Sequence, residues 1–159
     1  MNDQPAAAAT IVHPFMALAL ESAARAARRR EIPVGAVIVE AASGRVVVQR
    51  SNRVIRRRDP TAHAELRAIR AAAARLGSER LMGCDIYVTL EPCPMCAQAI
   101  AFARLRRLYF AAYDPKGGGV EHGPRIFTQS TCHHRPEVYG GVAEQAAAAL
   151  LRQFFRERR

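Results

Sequence analysis

Hydrophobic residues in this chain follow two spacings, one typical of β-strands and the other of α-helices. β-Strands are predicted where β-branched and other apolar residues form short runs: 34–39, 45–48, 85–90 and 107–112. The turn sequence Ala42-Ser43-Gly44 predicts that the first two strands form a hairpin. A short last strand is predicted between Pro136 and Val142.

Four other segments are predicted to be helices: 14–30, 61–76, 94–103 and 143–156. Apolar residues every three or four positions predict one buried face for the first and the last of them. Thr61 is the predicted N-cap of the second helix, and prolines fit the first turns of the first and third helices. Because strand–helix–strand units cross over to parallel neighbours, the order of elements predicts a three-layer α/β/α sandwich with a mixed central sheet of about five strands.

The length and composition favour a single domain. With 159 residues, 50% of them hydrophobic, the chain can bury a core of its own. Residues 1–13 are polar and alanine-rich and are predicted to be flexible, so the domain is expected to span residues 14–159. The pattern predicts neither a signal peptide nor a membrane segment. The four cysteines do not suggest a disulfide framework, and a cytoplasmic location is predicted.

The charge of the chain points to an anionic partner. The formal net charge is +10 and the sequence pI is about 10.7, which favours RNA binding. Lys116 is the only lysine among 24 basic residues, and an arginine-rich composition of this kind also arises from coding bias. The run Arg56-Arg57-Arg58 is interpreted as a solvated loop.

Two short motifs carry the chemistry. His63 and Glu65 lie in the first, and Cys93 and Cys96 form a Cys-x-x-Cys in the second. Zinc prefers thiolate and imidazole ligands, and a site with three protein ligands leaves a fourth position for water. His63, Cys93 and Cys96 are therefore the predicted ligands of one zinc ion. Glu65 is not needed as a ligand and is the predicted catalytic base.

The alternative is a structural zinc, which requires a fourth protein ligand. Candidates for that ligand are Cys84, Cys132, His133 and His134. None of these residues has the spacing of a second Cys-x-x-Cys knuckle, which favours the open, catalytic site.

With His-Ala-Glu followed after 26 residues by Pro-Cys-x-x-Cys, the chain resembles the zinc-dependent cytidine and adenosine deaminases. Within that superfamily it is similar to the bacterial tRNA-specific adenosine deaminases, from about Phe15 to the C-terminus. The segments that carry this similarity are 34–37, 52–53, 59–65, 87–93 and 154–156.

The resemblance implies hydrolytic deamination of adenosine to inosine at the wobble position of a tRNA anticodon. A zinc-bound hydroxide would attack C6, and Glu65 would carry the protons. One Zn²⁺ per subunit, no organic cofactor, an anticodon stem-loop as partner and a homodimer are implied as well.

Several residues are candidate substrate contacts. The resemblance places Asn52 against the target base and Asp114 and Lys116 beside the substrate, although Asn52 and Asp114 are also ordinary turn-forming residues. At the C-terminus Phe155, Arg156 and Arg158 could stack on a base and bind backbone phosphate. An amphipathic helix end with solvated arginines is the alternative there.

Two other functions fit part of the pattern. A deaminase of a free base or nucleoside, such as guanine, would share the zinc motif and would need no basic surface. A catalytically silent RNA-binding subunit with a structural zinc would share the charge, but it would have no need of Glu65.

Overall fold

The computed structural model describes residues 13–159, which contain five helices and five strands. The helices are α1 Pro14–Arg28, α2 Val54–Arg57, α3 Ala64–Leu76, α4 Pro94–Phe102 and α5 Glu144–Arg156, with a 3-10 turn at Ile126–Thr128. The strands are β1 Gly35–Glu40, β2 Arg45–Ser51, β3 Cys84–Leu90, β4 Arg107–Ala112 and β5 Glu137–Tyr139.

The strands form one mixed sheet in the order β2-β1-β3-β4-β5. β1 is antiparallel to both of its neighbours, whereas β3, β4 and β5 run parallel to one another. The hairpin and the crossover from β3 through α4 to β4 were both predicted, and both are confirmed. The carboxyl ends of β3 and β4 consequently meet at one edge of the sheet, which is where functional sites of such sheets lie.

Helices cover both faces of the sheet, and each face has its own core. Alanines of α3 and α4 pack with Ile38, Ile86 and Phe110 on one face. Residues of α1 and α5, such as Met16 and Ala147, pack on the other face. The predicted three-layer α/β/α sandwich is therefore confirmed.

Three local predictions are wrong or incomplete. Thr61 does not cap α3: its hydroxyl and its backbone N–H both donate to Asp59 Oδ1, and the helix begins at Ala64 with His63 as its N-cap. α1 ends at Arg28 because Arg30 has a φ of 61°, outside the helical region. The four-residue helix α2 was not predicted.

The predicted flexible segment over residues 1–13 lies outside the described residues except for His13, which is the N-cap of α1. Within 13–159, none of the helices is long and apolar enough to cross a membrane.

Candidate active site

The predicted zinc ligands lie where two helices begin. His63 is the N-cap of α3 in an extended conformation, and Cys93 is the N-cap of α4. Cys96 lies in the first turn of α4. Because the free N–H groups and the dipole of a helix N-terminus favour negative charge, both helices stabilise thiolates at this point.

The three side chains form a donor set that fits zinc. The Nδ1 atom of His63 is 3.7 Å from the sulfur of Cys93 and 3.5 Å from that of Cys96. Tetrahedral zinc with ordinary bond lengths separates a nitrogen ligand from a sulfur ligand by about 3.6 Å. Within residues 13–159, this is the one group of three or more His, Cys, Asp or Glu side chains close enough to share an ion.

The two sulfurs are poised to ligate a cation. A hydrogen bond from Cys96 is the largest of the effects that lower the pKa of Cys93 to about 4, and His63 contributes as well. The same hydrogen bond and burial raise the pKa of Cys96. Zinc binding would leave both sulfurs deprotonated, because the metal binds thiolates.

The alternative fourth ligands do not reach this cluster. Cys132 donates instead to the carbonyl of His134, and the ring of His134 bonds the carbonyl of Leu105. Cys84 is a buried thiol at the start of β3. A closed structural zinc with one of these residues is not supported within the described chain.

Glu65 is buried beside the donor cluster without belonging to it. Its side chain lies at the second position of α3 and is 4% exposed. Burial raises the pKa of Glu65 to about 7, because an ionised carboxylate loses solvation there. A carboxyl group that titrates near neutral pH can both accept and return a proton, which is what a proton shuttle does.

The conformation of His63 explains how it and Glu65 reach the same cavity. Residues two apart on a helix diverge in direction, but His63 precedes the helix with φ −69° and ψ 151°. The chain is therefore extended at His63 and helical from Ala64 onward. The divergence expected for two residues within one helix does not apply to His63 and Glu65.

A cavity of about 340 Å³ lies over the cluster. His63, Glu65 and Cys93 contribute to its floor, and Asn52 and Asp114 to its lining. Its apolar lining comes from Ile32, Val34, Val54, Ile55 and Leu90. A concave apolar site with a few polar groups is the usual form of a small-molecule pocket, and a flat heterocycle would suit these walls.

Glu91 holds the loop that closes one side of the cavity. Its carboxylate accepts hydrogen bonds from four backbone N–H groups and pairs with the His122 ring at 2.8 Å. Burial works to raise the pKa of Glu91, but the bonds from Asp114, Glu121 and His122 outweigh it and lower the pKa. Gly118 is required here, because a Cβ at this residue would lie 2.4 Å from the Glu91 carboxylate.

Residues 10–112 match the family model for the cytidine and deoxycytidylate deaminase zinc-binding region. The tRNA-specific adenosine deaminase of Agrobacterium fabrum is 59% identical over 145 residues, which make up 91% of this chain and 94% of that protein. The chain belongs to the family of tRNA-specific adenosine deaminases.

Solved structures extend the similarity to the fold. A structure from work on A-to-I editing by tRNA:A34 deaminases at the wobble position is 57% identical, with a TM-score of 0.83 over 86% of this chain and 98% of that one. A guanine deaminase from Nitrosomonas europaea is 26% identical, with a TM-score of 0.73 over 96% of this chain and 88% of that one.

Asn52 lines the cavity and also holds α3. It is 6% exposed, and its Oδ1 accepts from the N–H of Ala64 at 2.8 Å, which caps α3 in place of Thr61. This bond leaves the Nδ2 group of Asn52 as a donor.

Asp114 both forms a turn and lines the cavity. Its Oδ1 accepts from the backbone N–H groups of Lys116 and Gly117, as a turn aspartate does. Because one carboxylate oxygen makes both of these bonds, Oδ2 is left to face other groups. Lys116 is exposed and is not among the residues that line the cavity.

The C-terminal candidates lie away from the cavity in this chain. Phe155 is 49% exposed near the end of α5, and Arg156 is also exposed. Arg158 lies over the ring of Phe154 at 4.2 Å and donates to the carbonyl of Arg30. The bond to Arg30 joins the C-terminal residues to the segment after α1. Arg30 directly precedes Glu31, which lines the cavity.

Glu31 is a site residue that the sequence did not reveal. It is 2% exposed, and its carboxylate accepts from the N–H groups of Ile55 and Arg56 at 3.2 and 2.8 Å. It thereby fixes α2, which carries Val54 and Ile55 into the cavity wall. The only sequence signal is an acidic residue directly after an arginine run and before an apolar strand.

Proposed function

We propose that this chain deaminates adenosine to inosine at the wobble position of a tRNA anticodon. The observation that carries the proposal is the position of Glu65, a buried carboxyl group beside a zinc-type donor set but outside it. The 59% identity with a tRNA-specific adenosine deaminase supports the choice of substrate.

His63, Cys93 and Cys96 would hold the metal. Zinc supplies a Lewis acid that lowers the pKa of a bound water to about 7. Glu65 would accept one proton from the attacking water and deliver it to N1 of the purine as the water oxygen bonds to C6. It would then pass the remaining proton of that oxygen to the exocyclic amine, and the C6–N bond would break, so that adenosine and water give inosine and ammonia.

Asn52 and the apolar walls would orient the base. The Asn52 amide donates toward a purine acceptor, while Val34, Val54 and Leu90 contact the ring. An anticodon loop is single-stranded, so its base can enter the cavity with less unstacking and unpairing than a base in a duplex. Asp114 and Lys116 are proposed contacts of the flanking nucleotides.

We expect the protein to act in the cytoplasm, because its proposed substrate is tRNA. We expect residues 14–159 to act as one domain and the protein to be a homodimer, as the family resemblance implies. Sedimentation equilibrium should then give twice the 17.5 kDa mass of one chain.

The direct test is inosine formation in total tRNA by the purified, zinc-loaded protein, with ammonia release from free guanine measured in parallel. We expect inosine at anticodon position 34 and no turnover of guanine. Turnover of guanine without inosine would replace the proposal with a free-base deaminase, for which the similarity to the Nitrosomonas europaea guanine deaminase is the structural precedent.

A further inference from the structure

Another cleft, of strongly basic character, lies next to the active-site cavity. It has a volume of about 360 Å³ and lies between α1, β2, α2 and α3. Six arginines line it and define what we call the arginine pocket: Arg25, Arg29, Arg50, Arg53, Arg57 and Arg67. The other lining residues are Ser22, Gln49 and Ser51, and none of the nine is acidic.

Only one of the six arginines of the arginine pocket forms a salt bridge within the described chain. Arg25 pairs with Glu21 at 2.7 Å, and both side chains are largely exposed. The other five arginines form no salt bridge with any residue of the described chain. The buried carboxylate of Glu31 interacts favourably with the charge of Arg29, but its oxygens accept hydrogen bonds from the backbone of α2.

Some nitrogen atoms of these guanidinium groups donate hydrogen bonds to the protein, and others have no partner among residues 13–159. Arg29 donates to Ser51 Oγ at 2.7 Å, and Arg67 donates to the carbonyl of Ser51. The Nε atoms of Arg53 and Arg67 are buried and have no hydrogen-bond partner among residues 13–159. A buried donor without a partner is unfavourable, so these atoms favour an acceptor ligand.

Burial and the neighbouring positive charges both disfavour the charged form of two of these guanidinium groups. Burial and then the charges of Arg53 and Arg25 lower the pKa of Arg29. Burial, followed by four other arginines of the pocket, lowers the pKa of Arg67 to about 10. Both groups remain charged at neutral pH, and a bound anion would relieve the repulsion between them.

The arginine pocket shares a segment of backbone with the active-site cavity. Ser51 and Arg53 line the arginine pocket, whereas Asn52 and Val54, which alternate with them, line the cavity. The two clefts therefore lie on opposite sides of residues 51–54. An RNA strand that places one nucleotide in the cavity therefore has its backbone close to the arginine pocket.

We propose that the arginine pocket binds a backbone phosphate of the RNA substrate, away from the nucleotide that is deaminated. The inference rests on the proposed function for the identity of the polymer. Guanidinium groups bind phosphate oxygens in a bidentate way, and several converging on one cleft make a strong site for a single phosphodiester. Its role is positioning, because it lies outside the cavity in which the reaction occurs.

The test compares four zinc-loaded proteins: wild type, Arg57→Gln, the double variant Arg53→Gln/Arg57→Gln, and the control Arg80→Gln. Arg57 is exposed and forms no ion pair in the described chain, so its substitution should leave the fold intact. Arg80 is an exposed arginine in the loop before β3, at the end of the sheet opposite the active site. The control removes the same charge.

We expect Arg57→Gln to raise the tRNA dissociation constant and KM about fivefold and the double variant more than tenfold, while kcat stays unchanged. The slope of log affinity against log salt concentration should fall by about 0.7 to 0.9 for each phosphate contact removed. Arg80→Gln should match the wild type in KM, and its salt slope should change less than that of Arg57→Gln.

If the wild type forms inosine in tRNA but the double variant has an unchanged KM and salt slope, the arginine pocket does not bind RNA phosphate, and the proposed function still holds. If the wild type forms no inosine but the slope of RNA binding falls as expected, the pocket stands and the proposed reaction fails. Inorganic phosphate that binds the wild type and not the double variant, with RNA affinity equal in both, would reassign the pocket to a free anion and contradict the proposal.

Discussion

Asn52 and Asp114 each use one side-chain oxygen to hold the backbone, and both residues also line the cavity. This double use explains why residue types that ordinarily form turns line the candidate active site. Asp114 can be tested without breaking its turn, because asparagine keeps the accepting oxygen and replaces only the other one.

Asp114→Asn should lower the ratio of initial rates on an RNA anticodon stem-loop and on its DNA copy by about three- to tenfold. The reason is that a charged oxygen accepts the 2′-hydroxyl of RNA more strongly than an amide does. Asp114→Ala is the companion variant, since it also removes the turn bonds and should impair both substrates. An unchanged ratio in Asp114→Asn would leave the residue with a turn role alone.

Glu91→Gln should destabilise the protein by about 2 kcal/mol. An amide cannot accept from every donor that surrounds this buried carboxylate, so at least one N–H group would face another donor. The free energy of unfolding in urea, measured with excess zinc, gives the answer. Glu121→Gln is the matched control, because that side chain is exposed, and equal stability of both variants would refute the role given to Glu91.

The zinc ligands and Glu65 could be predicted from the sequence because their spacing alone carries the chemistry. Glu31 and Glu91 could not be predicted in the same way. Their hydrogen-bond partners lie 23 to 31 residues away along the chain, so their roles exist only once the chain is folded.

Among the secondary-structure elements, all five strands and the four longer helices were predicted, and α2 was not. β1 and β3 are buried almost throughout, and α1, α3 and α5 each bury one face. α2 has four residues and no buried side chain, and it is held by Glu31 from another part of the chain. The cap of α3 was assigned to Thr61 although Asn52, twelve residues from Ala64, provides it.

Two arginines near the end of α5 have different predicted roles: Arg158 stabilises the fold, and Arg156 is a candidate RNA contact. Arg158→Ala should lower the free energy of unfolding by about 1 kcal/mol, because it removes the cation–π contact with Phe154 and the bond to Arg30. Arg156→Ala should leave stability within about 0.5 kcal/mol and weaken tRNA binding. Urea unfolding and fluorescence anisotropy with labelled tRNA measure the two effects. Equal stability of both variants would contradict the assignment.

For the whole molecule, the net charge of +10 indicated an anionic partner but not its place of binding. The fold supplies that place by bringing arginines of α1, β2, α2 and α3 to one cleft beside the cavity. Arg57, interpreted from the sequence as part of a solvated loop, lies in that cleft. Charge composition therefore predicts a class of partner, while the tertiary structure determines where the charge is concentrated.

Glu65 is proposed to transfer protons at a metal site that it does not help to form. Zinc content and inosine formation should be measured on the same preparation of Glu65→Gln. We expect one zinc per chain, as in the wild type, with inosine formation in tRNA reduced by a factor of about 10² to 10⁴. Loss of zinc from Glu65→Gln, or wild-type rates of inosine formation, would contradict this role of Glu65.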